Sequence, residues 1–249
     1  MIYVVTHKKV KKVKKENYSY ILVNTLNNQN LKNTFEFNDL EKDNISNKNS
    51  SFCELTAVYW IWKNRKRDGF VGIEHYRRFL SLSKTKKDIL NRTTIEKILI
   101  DYDFILPKKF SFNCDLYHNY FSNGNGLKKD LDVLINFIKI EYPKYYPYLL
   151  KHLNEKEGHF CNIFICKDDL YDNYCSWLFD ILFKIEKQID ISTYNFQEKR
   201  VFGYLSELLL DVFIATNNYK FVEYDVYFVK DKLIKKFISK IKKGIKNVF

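Results

Sequence analysis

Apolar and polar positions along the chain repeat with two different periods, and the switches between them mark the elements. Ile2-Tyr3-Val4-Val5 lies in a β-branched run from Met1 to His7 and predicts a first strand; Tyr18 to Val23 predicts a second. From 24 to 51, Asn, Asp, Lys and Ser dominate, and the stretch reads as loop. Cys53 to Asn64, CELTAVYWIWKN, contains neither Gly nor Pro and is apolar almost all the way round. With Glu54 in its first turn and Ser50 or Ser51 as N-cap, it predicts a largely buried helix. Phe70-Val71-Gly72-Ile73 predicts a strand, Ile95 to Tyr102 a helix, and Phe104 to Leu106 a strand closed by Pro107.

Leu127 to Glu141 places apolar residues at 131, 134, 135 and 138, which is helical spacing, and Pro143 ends it. His159 to Cys166 predicts a strand, Leu170 to Ile189 a long amphipathic helix, Arg200 to Thr216 an apolar helix, and Phe221 to Val229 a last strand. This alternation predicts an α/β fold with a mainly parallel sheet flanked by helices. No Pro/Gly/Ser-rich linker divides residues 1–229, so one domain is expected there, followed by a tail over 230–249. In the tail, Ile234, Phe237, Ile238, Ile241, Ile245 and Val248 share one helical face and lysines cover the rest. Such a basic amphipathic helix suits an anionic membrane surface; a helix docked on the body is the alternative.

Composition changes that picture in three ways. The 46% hydrophobic content, with 21 Phe and 19 Tyr, indicates a globular chain. Lys, Asn, Ile, Phe and Tyr are rich and Gly and Pro poor, as in AT-rich coding sequence, so the aromatics are not read as base-stacking platforms. The net charge of +12 is local: Lys8 to Lys15 holds six lysines, and Phe228 to Phe249 holds eight against one Asp, so the rest is near neutral. That distribution argues against an extended nucleic-acid groove. Five cysteines (Cys53, Cys114, Cys161, Cys166, Cys175) with no CxxC pair read as reduced thiols of a cytosolic protein. No signal-peptide pattern or membrane-spanning apolar run is visible.

Candidate chemistry gathers where strands end, because ligands of α/β sheets bind outside the carboxyl ends of the strands. Thr6-His7 ends the first strand, and the apolar run 70–73 breaks into Glu74-His75-Tyr76-Arg77-Arg78. Two guanidiniums there suit a diphosphate through bidentate, charge-assisted bonds. The plainer alternative makes Arg77 an ion-pair partner and Tyr76 a core residue. Asp101-Tyr102-Asp103 precedes an apolar run instead of following one, so it reads as a helix stop, and Asp168-Asp169 reads as a helix N-terminus. Asn123-Gly124-Asn125-Gly126 reads as a turn, and His118 and His152 as surface residues. One of Trp60 and Trp62, two apart on a helix, is expected in the core.

Three stretches, 43-DNISNKNSSFCELTAVYWIWKN-64, 72-GIEHYRRFL-80 and 197-QEKRVFGYLSELLLDVF-213, carry a resemblance. They resemble a family of bacterial capsular and exopolysaccharide glycosyltransferases catalogued as a domain of unknown function, DUF4422. 2-IYVVTHKK-9, 103-DFILPKK-109 and 159-HFCNIFICKDDLYDNYCSWLFDIL-182 also look like that family, so the resemblance covers all but the tail. It implies a GT-A-like, Rossmann-related fold and a nucleotide-diphosphate sugar as donor, UDP-linked and galactose-type in some members. By the resemblance, Thr6 and His7 lie near the nucleotide, with Asp43, Asn44, Ser46 and Asn49 in a loop beside the donor. His75, Arg77 and Arg78 face the phosphates or the sugar, His159 and Asn162 the acceptor, and Arg200 and Glu207 the floor of the site.

Sugar transfer requires neutralisation of the leaving diphosphate by a metal or fixed cations, and a base for the acceptor hydroxyl. Glu207, Asp43 and Glu74 are the carboxylates to test as base, in that order, with His75 as a further proton carrier. The chain departs from GT-A enzymes in lacking an Asp-x-Asp pair after a strand. Either the arginines take over part of the metal's role or a lone Asp holds Mn2+ or Mg2+, and both stay open. The expected protein is a glycosyltransferase of capsule or lipopolysaccharide assembly. It is expected in the cytoplasm at the inner face of the membrane, acting on a lipid-linked or polysaccharide acceptor, with no nucleic acid bound. The alternative is a nucleic-acid-binding or membrane-adaptor protein working through its lysine-rich ends.

Overall fold

The structure, a computed structural model, describes residues 1–122 and 126–229. The basic amphipathic helix expected over 230–249 and, apart from Gly126, the Asn123 to Gly126 turn lie outside the described residues.

The first strand, β1 (Ile2–Thr6), is β-branched and fully buried; β2 (Tyr18–Leu22) and the short β3 (Phe37–Asn38) follow. The polar stretch expected as loop also folds three short 3-10 turns. The helix expected over Cys53–Asn64 starts at Leu55 as α2 (Leu55–Asn64), and Ser50 and Ser51, expected as its N-cap, lie instead in a separate short helix, α1 (Asn49–Phe52). Cys53 separates them with φ 52° and ψ −125°, a left-handed conformation that a non-glycine residue adopts only under constraint. The Asn49 carboxamide bridges the break, donating to the Cys53 carbonyl at 2.7 Å and to Thr56 Oγ1 at 3.0 Å. On α2, Trp60 is core and Trp62 half-buried.

Next come β4 (Phe70–His75) and, across a two-residue turn, β5 (Arg78–Ser81). The strand therefore continues through Glu74 and His75 instead of stopping at Ile73. α3 (Arg92–Asp101) is capped by the Asn91 side chain, which accepts from Thr94 N–H at 2.9 Å. β6 (Phe104–Pro107), β7 (Phe110–Ser111), α4 (Leu116–Ser122), α5 (Lys128–Glu141) and α6 (Tyr146–Leu153) follow, then β8 (Glu157–Gly158) and β9 (Phe164–Lys167). Residues 159–163, expected in a strand, are irregular because Cys161 and Asn162 both take positive φ, 72° and 49°. α7 (Asp168–Glu186) is the long helix, α8 (Val201–Glu207) and α9 (Leu209–Thr216) divide the expected Arg200–Thr216 helix, and β10 (Phe221–Phe228) closes the order.

The eight-stranded sheet runs β3-β2-β1-β4-β5-β10-β6-β9 and is mixed, which corrects the expectation of a mainly parallel sheet. β1–β2, β1–β4, β2–β3 and β6–β10 are parallel pairs, while β5 and β9 run antiparallel to both of their neighbours. The reason for β5 is the two-residue connection, which only an antiparallel hairpin can close.

Between β4 and β10 the sheet forks. Phe70–Ile73 of β4 and Phe221–Tyr224 of β10 are bridged by β9 and β6, whereas His75 and Asp225–Phe228 are bridged by β5 alone. Because β9 begins opposite Ile73, the segment leading into it emerges beside His75, at the mouth of the fork. The main core lies on one face, under α2, α5, α7, α8 and α9; α3 and Val13 of the lysine run cover the other.

Candidate functional site

At the carboxyl edge of the sheet, the Tyr76 N–H donates to the Val5 carbonyl at 3.1 Å and ties the β4–β5 turn to the end of β1. His7 follows β1 and meets the Tyr76 ring edge-on at 5.5 Å, and the Arg77 guanidinium lies 5.0 Å from the same ring. Arg77 and Arg78 are half-buried, and among the described residues neither guanidinium is in an ion pair. Their charge is therefore available to a ligand.

Beside them sits the irregular segment before β9. His75 Nε2 donates to the Cys161 carbonyl at 2.6 Å, which fixes the tautomer of a neutral ring and leaves Nδ1 with the lone pair. The Cys161 N–H donates to Glu207 Oε1 at 3.0 Å. Asn162 Nδ2 donates to Glu54 Oε1 at 2.8 Å and to Ser206 Oγ at 3.0 Å. Arg200 Nε reaches Cys53 Sγ at 3.3 Å, and Gly203 passes so close to Cys53 that an added Cβ would meet its Cβ and Sγ at 3.3 Å. Thus Cys53, Cys161 and Asn162, three non-glycine residues with positive φ, all border one polar cluster. Strain concentrated in this way is a mark of functional sites.

Charge inside the cluster is tuned. Burial, then the Glu54 carboxylate, push the Glu207 carboxyl up to about 8, against the pull of the Cys161 N–H, Arg200 and Arg78. Burial pushes His75 down, with Arg78 and Arg77 acting the same way and Glu54 and the Cys161 carbonyl opposing, so its imidazole is neutral at pH 7. His7 is lowered by burial and by Lys8, Arg77 and Arg200. Burial raises the thiols of Cys53 and Cys161 to about 11 and about 12, so neither is a thiolate nucleophile at neutral pH. A carboxyl poised near neutrality beside fixed cations can exchange a proton with a hydroxyl and stabilise a departing anion.

The structure brings together His7, His75, Arg77, Arg78, Asn162, Arg200 and Glu207 of the expected residues. It sets others apart. Glu74 alternates with His75 and so faces the opposite side of the sheet, 0% exposed beneath β5, where the Leu80 N–H donates to its Oε1 at 3.0 Å. Asp43 is exposed and bonds to Tyr59 Oη at 3.2 Å and, through its carbonyl, to Asn64 Nδ2 on the outer side of α2. Asn44 bonds to the Leu40 and Lys42 carbonyls and Ser46 N–H, folding its own loop, and Ser46 is buried. Asn49 serves the helix break, and Thr6 Oγ1 closes the turn after β1 on the Lys8 carbonyl at 2.8 Å.

His159 is 2% exposed and held by carboxylates at both ring nitrogens, Asp211 at Nδ1 and Glu223 at Nε2. Burial alone would lower it, but Asp211 and then Glu223 outweigh burial and raise it, and with both nitrogens bonded to carboxylates the ring has none free for an acceptor. His152, expected at the surface, is 5% exposed and pairs with Glu155 Oε2 at 3.0 Å.

Glu54, Ser206 and Cys161 enter the cluster without a local sequence signal. Glu54 stands in an ordinary helix-forming stretch, and its role follows from the break at Cys53 and the distant Asn162. Among the described residues no three or more His, Cys, Asp or Glu side chains are grouped to hold a metal ion. Asp103 bonds instead to Lys167 and the Lys220 N–H, Asp101 ends α3, and Asp168 opens α7.

Residues 1–218 match the family described as a domain of unknown function, DUF4422. Among solved structures the chain is similar to the apo structure of the bifunctional glycosyltransferase WbbM, with 30% identity and a TM-score of 0.84 over 92% of this chain. The match covers 45% of that protein, so this chain spans less than half its length. No curated protein matches the chain.

Proposed function

The chain belongs to the DUF4422 family, and from that premise we propose that it is a glycosyltransferase of GT-A-like design. It transfers a sugar from a nucleotide diphosphate donor, UDP-linked and galactose-type, to a growing capsular, lipo- or exopolysaccharide acceptor. The observation that carries the reading is a carboxyl raised to about 8, Glu207, in a cluster shared with three guanidiniums and His75 at the carboxyl edge of the sheet. The similarity to a bifunctional glycosyltransferase supports it independently.

In this reading Arg77 and Arg78 hold the donor diphosphate. The bond from the anomeric carbon to the phosphate oxygen breaks, and its electron pair leaves with the nucleotide diphosphate, where the guanidiniums offset the growing charge. The anomeric carbon bonds to the acceptor oxygen, and the hydroxyl proton passes to ionised Glu207. His75 holds the Cys161 loop, and through it Glu207, in place. Charge neutralisation is assigned in the first place to the guanidiniums. Residues 230–249 are assigned to the anionic inner face of the membrane, where a lipid-linked acceptor would be presented.

A thermal-shift series with UDP, GDP and their sugars tests the reading. Stabilisation by a UDP-sugar, abolished in the Arg77→Ala/Arg78→Ala double variant, is expected. If no nucleotide stabilises the protein, the reading fails.

A further inference from the structure

A concave feature lies beside the polar cluster and does not include it. At the carboxyl end of β10, a cleft of about 420 Å³ is bordered by Phe110, Tyr227, Phe228, Lys84, Lys108 and Asp225. That volume falls within the range of small-ligand sites.

Three observations bear on what it would hold. Phe110 and Phe228 leave 36% and 52% of their surface open, an unusual exposure for rings of this size. Lys84 and Lys108 share one carboxylate, Asp225, at 3.5 and 3.0 Å, and the third lysine of the cleft, Lys109, pairs with Glu157 at 3.4 Å, so one positive charge is left over. The cleft also joins the cluster on two sides. Phe110 packs edge-on against Phe160 at 6.4 Å, and Phe160 lies between His159 and Cys161, the residue that links His75 to Glu207. Phe228 is paired in the sheet with Arg78.

We infer that this cleft binds an anionic saccharide, whose ring faces lie on Phe110 and Phe228 and whose carboxylate meets Lys84 and Lys108. Flat aromatic rings match the C–H faces of sugars, and a surplus lysine charge favours an acidic sugar over a neutral one. Its description as an acceptor subsite rests on the glycosyltransferase reading; the binding itself does not.

The test is calorimetric titration of the full chain with tetragalacturonic acid, with maltotetraose as the neutral probe. Wild type is expected to bind the acidic tetramer more tightly than the neutral one. Phe110→Ala should raise its Kd about tenfold, the cost of truncating a stacked aromatic anchor. Lys84→Ala/Lys108→Ala should raise it about fivefold, as for exposed charges, and UDP affinity should stay unchanged in both variants. Equal affinity for the two tetramers overturns the anionic assignment, and unchanged Kd in the variants overturns the location. No saccharide binding by the wild type would end the proposal. Saccharide binding without nucleotide binding would leave the cleft standing while the glycosyltransferase reading falls, and the converse would do the reverse.

Discussion

His75 and Glu207 are joined through one residue: the Cys161 carbonyl accepts from His75 Nε2 at 2.6 Å, and the Cys161 N–H donates to Glu207 Oε1 at 3.0 Å. The position of the carboxyl at the end of α8 thus depends on a neutral imidazole on β4. With Glu207 raised to about 8 and acting as base, kcat/KM should rise with pH through about 8. Glu207→Gln keeps the acceptor atom for Cys161 and removes the proton site. It should lower kcat by about 10²–10⁴-fold and flatten the alkaline rise while UDP affinity is retained. A variant with the same pH profile as wild type would take the proton away from this residue.

The height of that pKa depends in part on Glu54, whose charge disfavours ionisation of Glu207. Glu54→Gln preserves an oxygen for Asn162 Nδ2 and deletes the charge. The rise in kcat/KM should move toward acid by roughly one pH unit. An unmoved profile would mean that the two carboxyls do not share one field.

Much of this edge was legible because it is local. The apolar run 70–73 breaking into Glu74-His75-Tyr76-Arg77-Arg78 announces a strand end with polar groups on it. The side each residue faces was less legible. With the strand taken to stop at Ile73, Glu74 and His75 read as neighbours in one loop; as the last two residues of β4 they fall on opposite faces. The left-handed backbone at Cys53, Cys161 and Asn162 leaves no trace in composition, since no glycine marks it. Glu54 and Ser206 reach the site through contacts spanning 108 and 44 positions, beyond any local pattern. Likewise β9 reads as an ordinary strand, and its antiparallel direction is set by the chain that folds between it and β6.

Among the described residues neither Arg77 nor Arg78 is in an ion pair. Each change to Ala should cost about 1.5–3 kcal/mol of donor affinity, a factor of about 10–100. Arg78→Lys should recover only part, because an ammonium cannot make the forked contact. Transfer should persist in EDTA. Complete loss on chelation with rescue by Mn2+ would assign the neutralising charge to a metal instead.

Glu74 is buried without a partner for Oε2, and burial raises its carboxyl to about 8. A folded-state pKa above the unfolded value near 4.5 means stability is fully present below that value and lost as pH rises through about 8. Glu74→Gln is neutral at every pH and escapes this loss, while the Glu207 contribution is common to both proteins. Relative to wild type, the melting temperature of the variant should therefore gain roughly 10 °C between pH 5 and pH 9. A pH-independent difference would show that Glu74 does not titrate in the folded protein.

Gly72 lies where β1, β4 and β9 pack most closely. A Cβ built there would stand 2.1 Å from Ile2 Cδ1 and 2.9 Å from Ile165 Cγ1, both in the core. Ile2 and Ile165 are both 0% exposed, so making room for the methyl requires repacking the core between these strands. Gly72→Ala should destabilise the fold by about 1–3 kcal/mol. Because the same residue spaces β4 against β9, that shift should also reach the His75–Cys161 bond and lower kcat more than nucleotide affinity. Adding Ile2→Val removes the offending Cδ1 and should return part of both losses; urea unfolding and kinetics on the single and double variants measure them. Recovery of neither would mean that the clash at Ile2 does not govern the spacing of the strands.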